Sequence, residues 1–265
     1  MDLRPDDDDE DDDDLEEDLD EIDGDSSSEE FSDPENRSPL IQAAFDGDIR
    51  GMKRLIAARA DLEATDDEGM TALVCAAKEG RTKCVQLLVA AKADLEVRDN
   101  RRWTPLIWAS EENEVECLQR LIDARASVNA SCDVQQTALI RAALRGHAEC
   151  VQRLITANAD ANIRDECDAN ALIKAASEGH AECVSLLVPL TADLEITDWE
   201  GNTALHLAAW NGRAGCLQLL IAAGANVEGN DPNYGTPLIW AACEGQIETV
   251  QQLLEARANI EATSR

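Results

Sequence analysis

The residues of this chain that could take part in chemistry are nine cysteines, three histidines and a large excess of carboxylates. Five of the cysteines recur at an interval of 33 residues, and two of these follow a histidine in a His-x2-Cys pair. They are Cys84, Cys117, Cys150, Cys183 and Cys216, with His147 and His180 as the paired histidines. Because thiolates and imidazoles are preferred ligands of Zn²⁺, the first hypothesis is a row of metal sites.

The spacing argues against that hypothesis. Stacked helical units lie about 10 Å apart, whereas zinc needs its ligands at about 2.0–2.3 Å around one point. A cysteine that returns once per unit occupies one equivalent position, and a buried cysteine behaves as a small apolar residue. We therefore predict core packing for these five cysteines, with no metal and no cofactor. The other four, Cys75, Cys132, Cys167 and Cys243, are expected to be exposed thiols.

Sequence patterns typical of catalysis are missing. The chain contains no Gly-x-Ser-x-Gly, no phosphate-binding glycine loop and no His-Glu-x-x-His. Carboxylate pairs are so frequent that no single pair indicates an acid–base site. The three histidines are all explained by their place in the repeat described next. The sequence therefore predicts a protein that is not an enzyme.

A repeat of 33 residues, present seven times, sets the elements that position these residues. Each unit begins with a residue that can cap a helix, and Leu follows two positions later. These anchor residues are Ser38, Thr71, Thr104, Thr137, Asn170, Thr203 and Thr236. A glycine then ends a short first helix in most units, and an apolar pair marks the end of a second helix. The pattern predicts two short helices and an extended loop per unit.

The chain resembles ankyrin repeats in phrases such as GNTALHLAA at 201–209 and AGANV at 223–227. The resemblance covers residues 38–265 and implies an all-α solenoid of helix–turn–helix–hairpin units. It also implies a concave face formed by the hairpin tips and the first helices. The repeats are expected at about residues 38–66, 67–99, 100–132, 133–165, 166–198, 199–231 and 232–265.

The chain departs from the ankyrin pattern in four ways. The histidine three residues after the anchor is kept only at His206, so apolar contacts are expected to replace its hydrogen bonds elsewhere. Only Gly224 keeps the loop glycine after the second helix, and the other residues at that position are expected to be strained at positive φ. These residues are Arg59, Lys92, Arg125, Asn158, Thr191 and Arg257. Pro189 is expected to shorten the fifth second helix, and Glu often replaces a hairpin Asn.

Charge is concentrated at the N-terminus. The whole chain has a formal net charge of −32, and residues 1–37 hold 21 Asp or Glu against 2 Arg. Such a block of like charge predicts a disordered tail. Ser26, Ser27 and Ser32 each precede Glu by three positions, a pattern that resembles phosphorylation sites of acid-directed kinases. The acidity excludes nucleic acid as an expected partner, because phosphate binding needs a basic surface.

Targeting signals are not visible in the sequence. The N-terminus lacks the apolar segment of a secretion signal. No stretch approaches the roughly 18–20 apolar residues of a membrane span. The sequence therefore indicates an intracellular protein, cytoplasmic or nuclear, that does not act in a membrane and keeps its thiols reduced.

Binding residues are expected where the repeat leaves the residue type free. Aromatic and arginine side chains dominate interface hot spots, and all five tryptophans fall near the hairpin tips or on the first helices. The aromatic candidates are Trp103, Trp108, Trp199, Trp210, Tyr234 and Trp240. The basic candidates are Arg101, Arg102, Arg141, Arg145 and Lys174. Trp108 and Trp240 could instead pack between repeats, whereas Trp103, Trp199 and Trp210 are not expected in the core.

Three functions are compatible with the sequence. The first is a non-catalytic scaffold or adaptor that holds a protein partner on the concave face. The basic cluster there would receive an acidic segment, such as the chain's own tail, or would only balance local charge. The second is an acidic chaperone or buffer for basic proteins that acts through the tail. The third is the substrate-recognition subunit of a ubiquitin ligase or kinase complex.

Overall fold

The anchor residues start the first helix of each repeat. In the computed structural model, which describes residues 37–229 and 235–263, six anchors accept a hydrogen bond from the backbone N–H three residues on. Thr137 Oγ1, for example, accepts from the N–H of Ile140 at 3.3 Å. Pro39, Pro105 and Pro237 occupy the start of their helices, where the missing N–H leaves no helical bond unmade. The predicted helix starts are confirmed.

Fourteen α-helices form in the described residues, two for each repeat. The first helices are α1 (Pro39–Asp46), α3 (Ala72–Lys78), α5 (Pro105–Glu111), α7 (Ala138–Arg145), α9 (Ala171–Glu178), α11 (Ala204–Trp210) and α13 (Pro237–Cys243). The second helices are α2 (Ile49–Ala57), α4 (Thr82–Ala90), α6 (Val115–Asp123), α8 (Ala148–Thr156), α10 (Ala181–Leu187), α12 (Ala214–Ala222) and α14 (Ile247–Glu255). The predicted all-α fold is confirmed.

The helices form two layers. Each first helix packs against the first helices of the neighbouring repeats, and each second helix packs against neighbouring second helices. The leucine two positions after the anchor is buried in every repeat: Leu40, Leu73, Leu106, Leu139, Leu172, Leu205 and Leu238. Small residues such as Ala76 and Ala77, which expose no surface, let the backbones approach closely. One core therefore runs through all repeats, as in other stacked-repeat proteins.

A left-handed residue ends the first helix and lets the next repeat come close. Gly146 has φ of 77°, and a Cβ built on it would lie 2.5 Å from Nδ1 of His180 in the following repeat. Both the backbone conformation and the close approach therefore favour glycine here. Asn113 replaces the glycine in the third repeat and adopts φ of 62°.

The fifth repeat deviates as Pro189 predicts. Helix α10 ends at Leu187 with seven residues, whereas α8 has nine, and a 3₁₀ turn over Val188–Leu190 follows. The expectation that Thr191 would be strained at positive φ is wrong, since its φ is −79°. The proline diverts the chain into the 3₁₀ turn, so Thr191 does not have to close a helix. Positive φ is confirmed at the other positions without glycine: Arg59, Lys92, Arg125, Asn158 and Arg257.

Some sequence predictions fall on residues that the structure does not describe. The disordered tail predicted for residues 1–37 lies outside the described residues except for Arg37, and so do its serines Ser26, Ser27 and Ser32. Tyr234 lies in the undescribed segment 230–234. Among the residues that are described, no helix has the length and apolar character needed to cross a bilayer.

Two threonine anchors, Thr137 and Thr236, are predicted to contribute differently to stability because only one of them caps its helix. Thr137 caps its helix, whereas the Thr236 side chain makes no cap bond and its buried Oγ1 has no hydrogen-bond partner among the described residues. We expect Thr137→Val to lower the free energy of unfolding by about 1 kcal/mol, because valine cannot accept the bond. Thr236→Val has the same shape change without that loss and should shift stability by less than about 0.5 kcal/mol. Urea unfolding followed by circular dichroism measures both, and equal effects would contradict the assignment.

Candidate protein-binding surface

The hairpins and the exposed positions of the first helices form one side of the stack, called the first-helix face below. Aspartates 33 residues apart shape its hairpins, and Asp99 shows how. Its Oδ1 accepts hydrogen bonds from the backbone N–H of Arg101 at 2.9 Å and of Trp103 at 2.7 Å. Asp66, Asp165 and Asp198 make the same pair of bonds in their hairpins. This closure places Arg101 and Trp103 at the tip.

Side chains link each hairpin to the next. Glu63 Oε1 accepts a hydrogen bond from the backbone N–H of Asp94 at 2.9 Å, and Glu96 Oε1 accepts from Ser127 at 2.7 Å. Asn129 makes the equivalent bond to Asp160 at 2.9 Å. Glutamate therefore performs the linking role of asparagine at this position, and its presence does not interrupt the stack.

In repeats three and five, the residue four positions after the anchor contacts the hairpin aspartate. Trp108 Nε1 donates to Asp99 Oδ2 at 2.8 Å, and Lys174 Nζ lies 2.9 Å from Asp165 Oδ2. In the hairpin before α7, a cysteine stands in place of the aspartate, so Arg141 lacks that acceptor. Its Nη2 instead lies 2.6 Å from Oε1 of Glu111.

Trp103 and Trp108 form the centre of a cationic and aromatic cluster in repeats two to four. Their ring centroids are 4.6 Å apart, the Arg141 guanidinium lies 4.6 Å from the Trp103 centroid, and Lys78 Nζ lies 4.8 Å from that of Trp108. Trp103 is only 8% exposed. The expectation that Trp103 lies outside the core is wrong, because its ring is enclosed by these neighbours.

Glu111 neutralises much of the predicted basic cluster. Its side chain is 7% exposed and accepts from Arg141 Nε at 2.9 Å and from Arg145 Nε at 2.8 Å. Burial alone would raise the pKa of the Glu111 carboxyl, but the hydrogen bonds from Arg145 and Arg141 hold it below its ordinary value. Arg102 also has an acidic neighbour, Asp133, at 3.3 Å. These pairs support the interpretation that the cluster balances local charge.

The aromatic residues of repeats six and seven are more accessible. Trp199 at a hairpin tip is 67% exposed, and Trp210 at the end of α11 is 36% exposed. The Trp210 ring packs edge-on against Trp240 with centroids 4.9 Å apart, and Trp240 packs against His206 at 5.8 Å. Trp240 is buried, as the alternative of packing between repeats anticipated. The exposed Trp210 ring is therefore packed against the buried ring of Trp240.

The histidines have structural roles. His147 Nε2 lies 3.0 Å from the carbonyl oxygen of Glu111, and His180 Nε2 lies 3.1 Å from that of Leu144, in each case one repeat back. His206 bonds with the Thr203 side chain through Nδ1 and with a hairpin carbonyl through Nε2. At the position of His206 in other repeats, five apolar replacements are buried, Ile41, Val74, Ile107, Ile140 and Ile173, and Ile239 is half-buried.

The five periodic cysteines are buried, as predicted. Burial raises the pKa of the Cys117 thiol to about 11 and that of Cys150 to about 12. Within residues 37–229 and 235–263, no three His, Cys, Asp or Glu side chains are grouped so that they could hold a metal ion. These thiols are therefore part of the core.

The other four cysteines differ in their exposure. Cys243 is exposed as predicted and Cys167 is half-buried. The expected exposure of Cys75 and Cys132 is wrong, because both are buried. Cys75 lies on α3 with its sulfur 4.0 Å from that of Met70, and Cys132 takes the buried position of the hairpin aspartate.

The burial of the thiols predicts their reactivity. A thiol with a pKa of about 11, such as Cys117, is roughly one-thousandth ionised at pH 8, and only the thiolate is alkylated. We expect iodoacetamide to modify Cys243 first and Cys167 more slowly, while the seven buried thiols stay protected. Peptide mass mapping measures this order. All nine should react in denaturant, and rapid alkylation of Cys150 in the native protein would contradict the packing.

The Glu111 contacts predict a pH-dependent contribution to stability. We expect Glu111→Gln to lower the free energy of unfolding by about 2 kcal/mol at pH 7, because two charge-assisted hydrogen bonds are lost. The folded-state pKa of Glu111 lies below its ordinary value of 4.5. The contribution is therefore present above that value and lost as pH falls through the folded-state pKa. Urea unfolding between pH 7 and pH 3 measures it.

Glu112→Gln is the matched control, since Glu112 is the exposed neighbour of Glu111. It should change stability by less than about 0.5 kcal/mol at either pH. A loss in Glu111→Gln that does not shrink on acidification would show that the ion pairs are not its cause.

Comparison with known proteins identifies the repeat. A family model described as ankyrin repeats (3 copies) matches residues 40–132, 139–231 and 200–264. The crystal structure of the human ASB11 ankyrin repeat domain is similar, with 26% sequence identity and a TM-score of 0.74, and the match covers 84% of this chain and 99% of that chain. No curated protein sequence matches significantly. The helix pairs, the hairpins and these matches together show that the chain belongs to the ankyrin repeat family.

Proposed function

We propose that this chain is a non-catalytic adaptor that binds a protein partner on the first-helix face of repeats six and seven. Ankyrin repeats are generally protein–protein interaction modules, and their fold is typically a non-catalytic scaffold. The observation that carries the proposal is the exposure of Trp199 and Trp210, at 67% and 36%. Aromatic residues make up only 3% of the chain, so two exposed indoles in one repeat are unusual.

The physical advantage of this surface is that it is already ordered. An indole buries a large apolar area on binding and has only two side-chain torsions to fix. Trp210 is held against Trp240, so a partner would not have to order that ring. Leu207 lies three residues before Trp210 on α11 and is half-buried, which extends the apolar surface along the same helix face.

The cluster in repeats two to four is less suited to provide the main contacts. Trp103 and Trp108 are buried, and Arg141 is held by Glu111. A partner would have to break existing bonds to reach them. We assign these side chains to the scaffold, together with Lys174, which pairs with Asp165.

Three candidate residues stay at the rim of that cluster. Arg102 and Arg145 keep about half of their side-chain surface exposed, at 55% and 54%, and Arg101 is also exposed. Exposed charges of this kind steer association and contribute little affinity. They could guide an acidic partner towards the aromatic surface.

A second candidate function, an acidic chaperone or buffer for basic proteins, is favoured only by the charge of residues 1–37, with 21 Asp or Glu. The two functions make opposite predictions for fragments. A tagged peptide of residues 1–37 should suffice to retain basic proteins if the tail is the active element, and should fail if the repeats bind the partner. A role inside a ubiquitin ligase or kinase complex stays a prediction.

The proposal predicts the effect of removing the exposed indoles. We expect the double variant Trp199→Ala, Trp210→Ala to weaken partner binding by about 2 kcal/mol or more, which is roughly thirtyfold, because hot-spot tryptophans contribute on that scale. Affinity purification from cell extract with the wild type and the variant side by side identifies partners that only the wild type retains. Their affinity is then measured with purified components.

The matched control is Ile247→Ala, Leu254→Ala. These apolar residues are also exposed, at 74% and 42%, but they lie on α14 in the other helix layer. The control should retain the partner at wild-type affinity. Recovery of the same partners by both variants would refute the assignment of the site to repeats six and seven.

A further inference from the structure

The second helices carry an uneven distribution of charge. Residues 49–60 and 82–93 cover the second helix and following loop of repeats one and two, and they contain six basic residues and no acidic one. These residues are Arg50, Lys53, Arg54, Arg59, Lys83 and Lys92. In a chain with 55 Asp or Glu against 23 Lys or Arg, two consecutive second helices with their following turns hold no acid, and Asp48, Asp61 and Asp94 lie just outside these segments. This is a local inversion of charge.

The inversion ends sharply at the third repeat. The second position of the second helix is Arg50 in repeat one and Lys83 in repeat two. The equivalent position in later repeats is acidic except in the sixth, where it is Gly215: Glu116, Glu149, Glu182 and Glu248. Because the same structural position changes sign, the repeat architecture does not require the basic residues.

The six basic side chains are available for binding. All of them are exposed, and none takes part in an ion pair with another described residue. Most basic candidates on the first-helix face are paired: Arg102 with Asp133, Arg141 and Arg145 with Glu111, and Lys174 with Asp165. The unpaired positive charge of the described repeats is therefore concentrated on the opposite side of repeats one and two.

An apolar groove lies beside Lys53, between α2 and α4. Lys53, Ile56 and Ala57 of α2 and Leu87 and Ala90 of α4 line a depression of about 330 Å³. Its floor consists of partly exposed aliphatic side chains, and Lys53 stands at its edge. A second depression of about 290 Å³ lies between α4 and α6, where Arg120 and the acidic Asp123 line it beside Val89 and Ala90. The surface thus combines a narrow apolar track with positive charge.

We propose that this basic groove on α2 and α4 binds an acidic segment of a protein partner, with apolar side chains of the segment seated between the two helices. Charge complementarity selects carboxylates, because residues 49–60 and 82–93 beside the groove hold six cations and no acid. The apolar floor selects a peptide over nucleic acid, since a phosphodiester backbone offers no aliphatic side chain to fill the groove. An amphipathic helix with apolar residues at i, i+4 and i+7 has the required form.

This site is separate from the proposed surface of repeats six and seven and does not depend on it. The two differ in helix layer, in position along the stack and in chemistry. A chain with both sites could hold two partners at once, one through exposed indoles and one through an acidic segment.

The test uses the full chain and a fluorescent probe peptide of about 20 residues, made of glutamate with leucine at i, i+4 and i+7. Fluorescence anisotropy measures its affinity. Binding is expected to weaken about tenfold or more between about 50 mM and 300 mM salt, because exposed charges are screened. The variant Lys53→Glu, Lys83→Glu is expected to weaken binding about tenfold or more.

The matched control is Arg153→Glu, Arg257→Glu, on α8 and just after α14, because neither residue lines either depression. It makes the same change in net charge at exposed positions, so any effect of total charge is equal. It should change affinity by less than about threefold. Trp199→Ala, Trp210→Ala should leave probe binding unchanged, which separates this proposal from the preceding one. Thermal melts confirm that each variant is folded.

Several results would overturn the proposal. Equal losses in both charge-reversal variants would show that the probe senses only net charge. Equal affinity for a probe with glutamine in place of leucine would show that the groove does not bind apolar side chains. Equal affinity for a single-stranded DNA of matched charge would show that the surface does not select a peptide. If the wild-type chain dimerises and Lys53→Glu, Lys83→Glu abolishes the dimer, the surface binds a second copy of the chain. A more than tenfold gain in affinity on deletion of residues 1–32 would assign it to the chain's own acidic segment.

Discussion

The structure depends on one constraint: no repeat can bury its own apolar face, so each repeat is completed by its neighbours. A pair of helices of seven to nine residues is too short to be stable alone in water. Stacking removes their leucines and alanines from water on both sides, and this apolar burial is the main driving force. The apolar residues that pack against the next repeat therefore recur every 33 residues, whereas residues that face solvent vary in type.

Polar groups between repeats obey the same constraint. Backbone groups left free by short helices and hairpins need partners, because an unpaired buried polar group is destabilising. The chain meets this need with different side chains at one position: His147 and His180 bond a carbonyl one repeat back, and Arg81 and Arg213 do the same through Nε. Imidazole and guanidinium groups can both make this hydrogen bond at the same position. The residue type at this position therefore varies between repeats without changing the way the repeats stack.

Charge is distributed by the same logic. Where acidic side chains are buried, the fold supplies donors, as it does for Asp99 through backbone N–H groups and for Glu111 through two arginines. The cations used in this way are no longer available to a partner. Within the described residues, exposed indoles lie towards one end of the stack, and a group of basic side chains without an ion pair lies towards the other. The two ends of the repeat domain therefore offer different chemistry to binding partners.

The sequence by itself determined the helix pairs, six of their seven first-helix caps, the periodic leucine and alanine core and the burial of the five periodic cysteines. These features repeat with the stacking, and a repeated pattern is visible in one dimension. It could not determine which non-periodic residues are accessible. Trp103 and Trp199 both lie near hairpin tips, yet one is enclosed by Trp108 and Arg141 and the other is open to solvent. Likewise, only the tertiary structure showed that Arg141 and Arg145 converge on Glu111, while Lys53 and Lys83 form no ion pair with any described residue. Accessibility and pairing depend on side chains that are about 30 residues apart in sequence and within a few ångströms in space, and no local pattern encodes that distance.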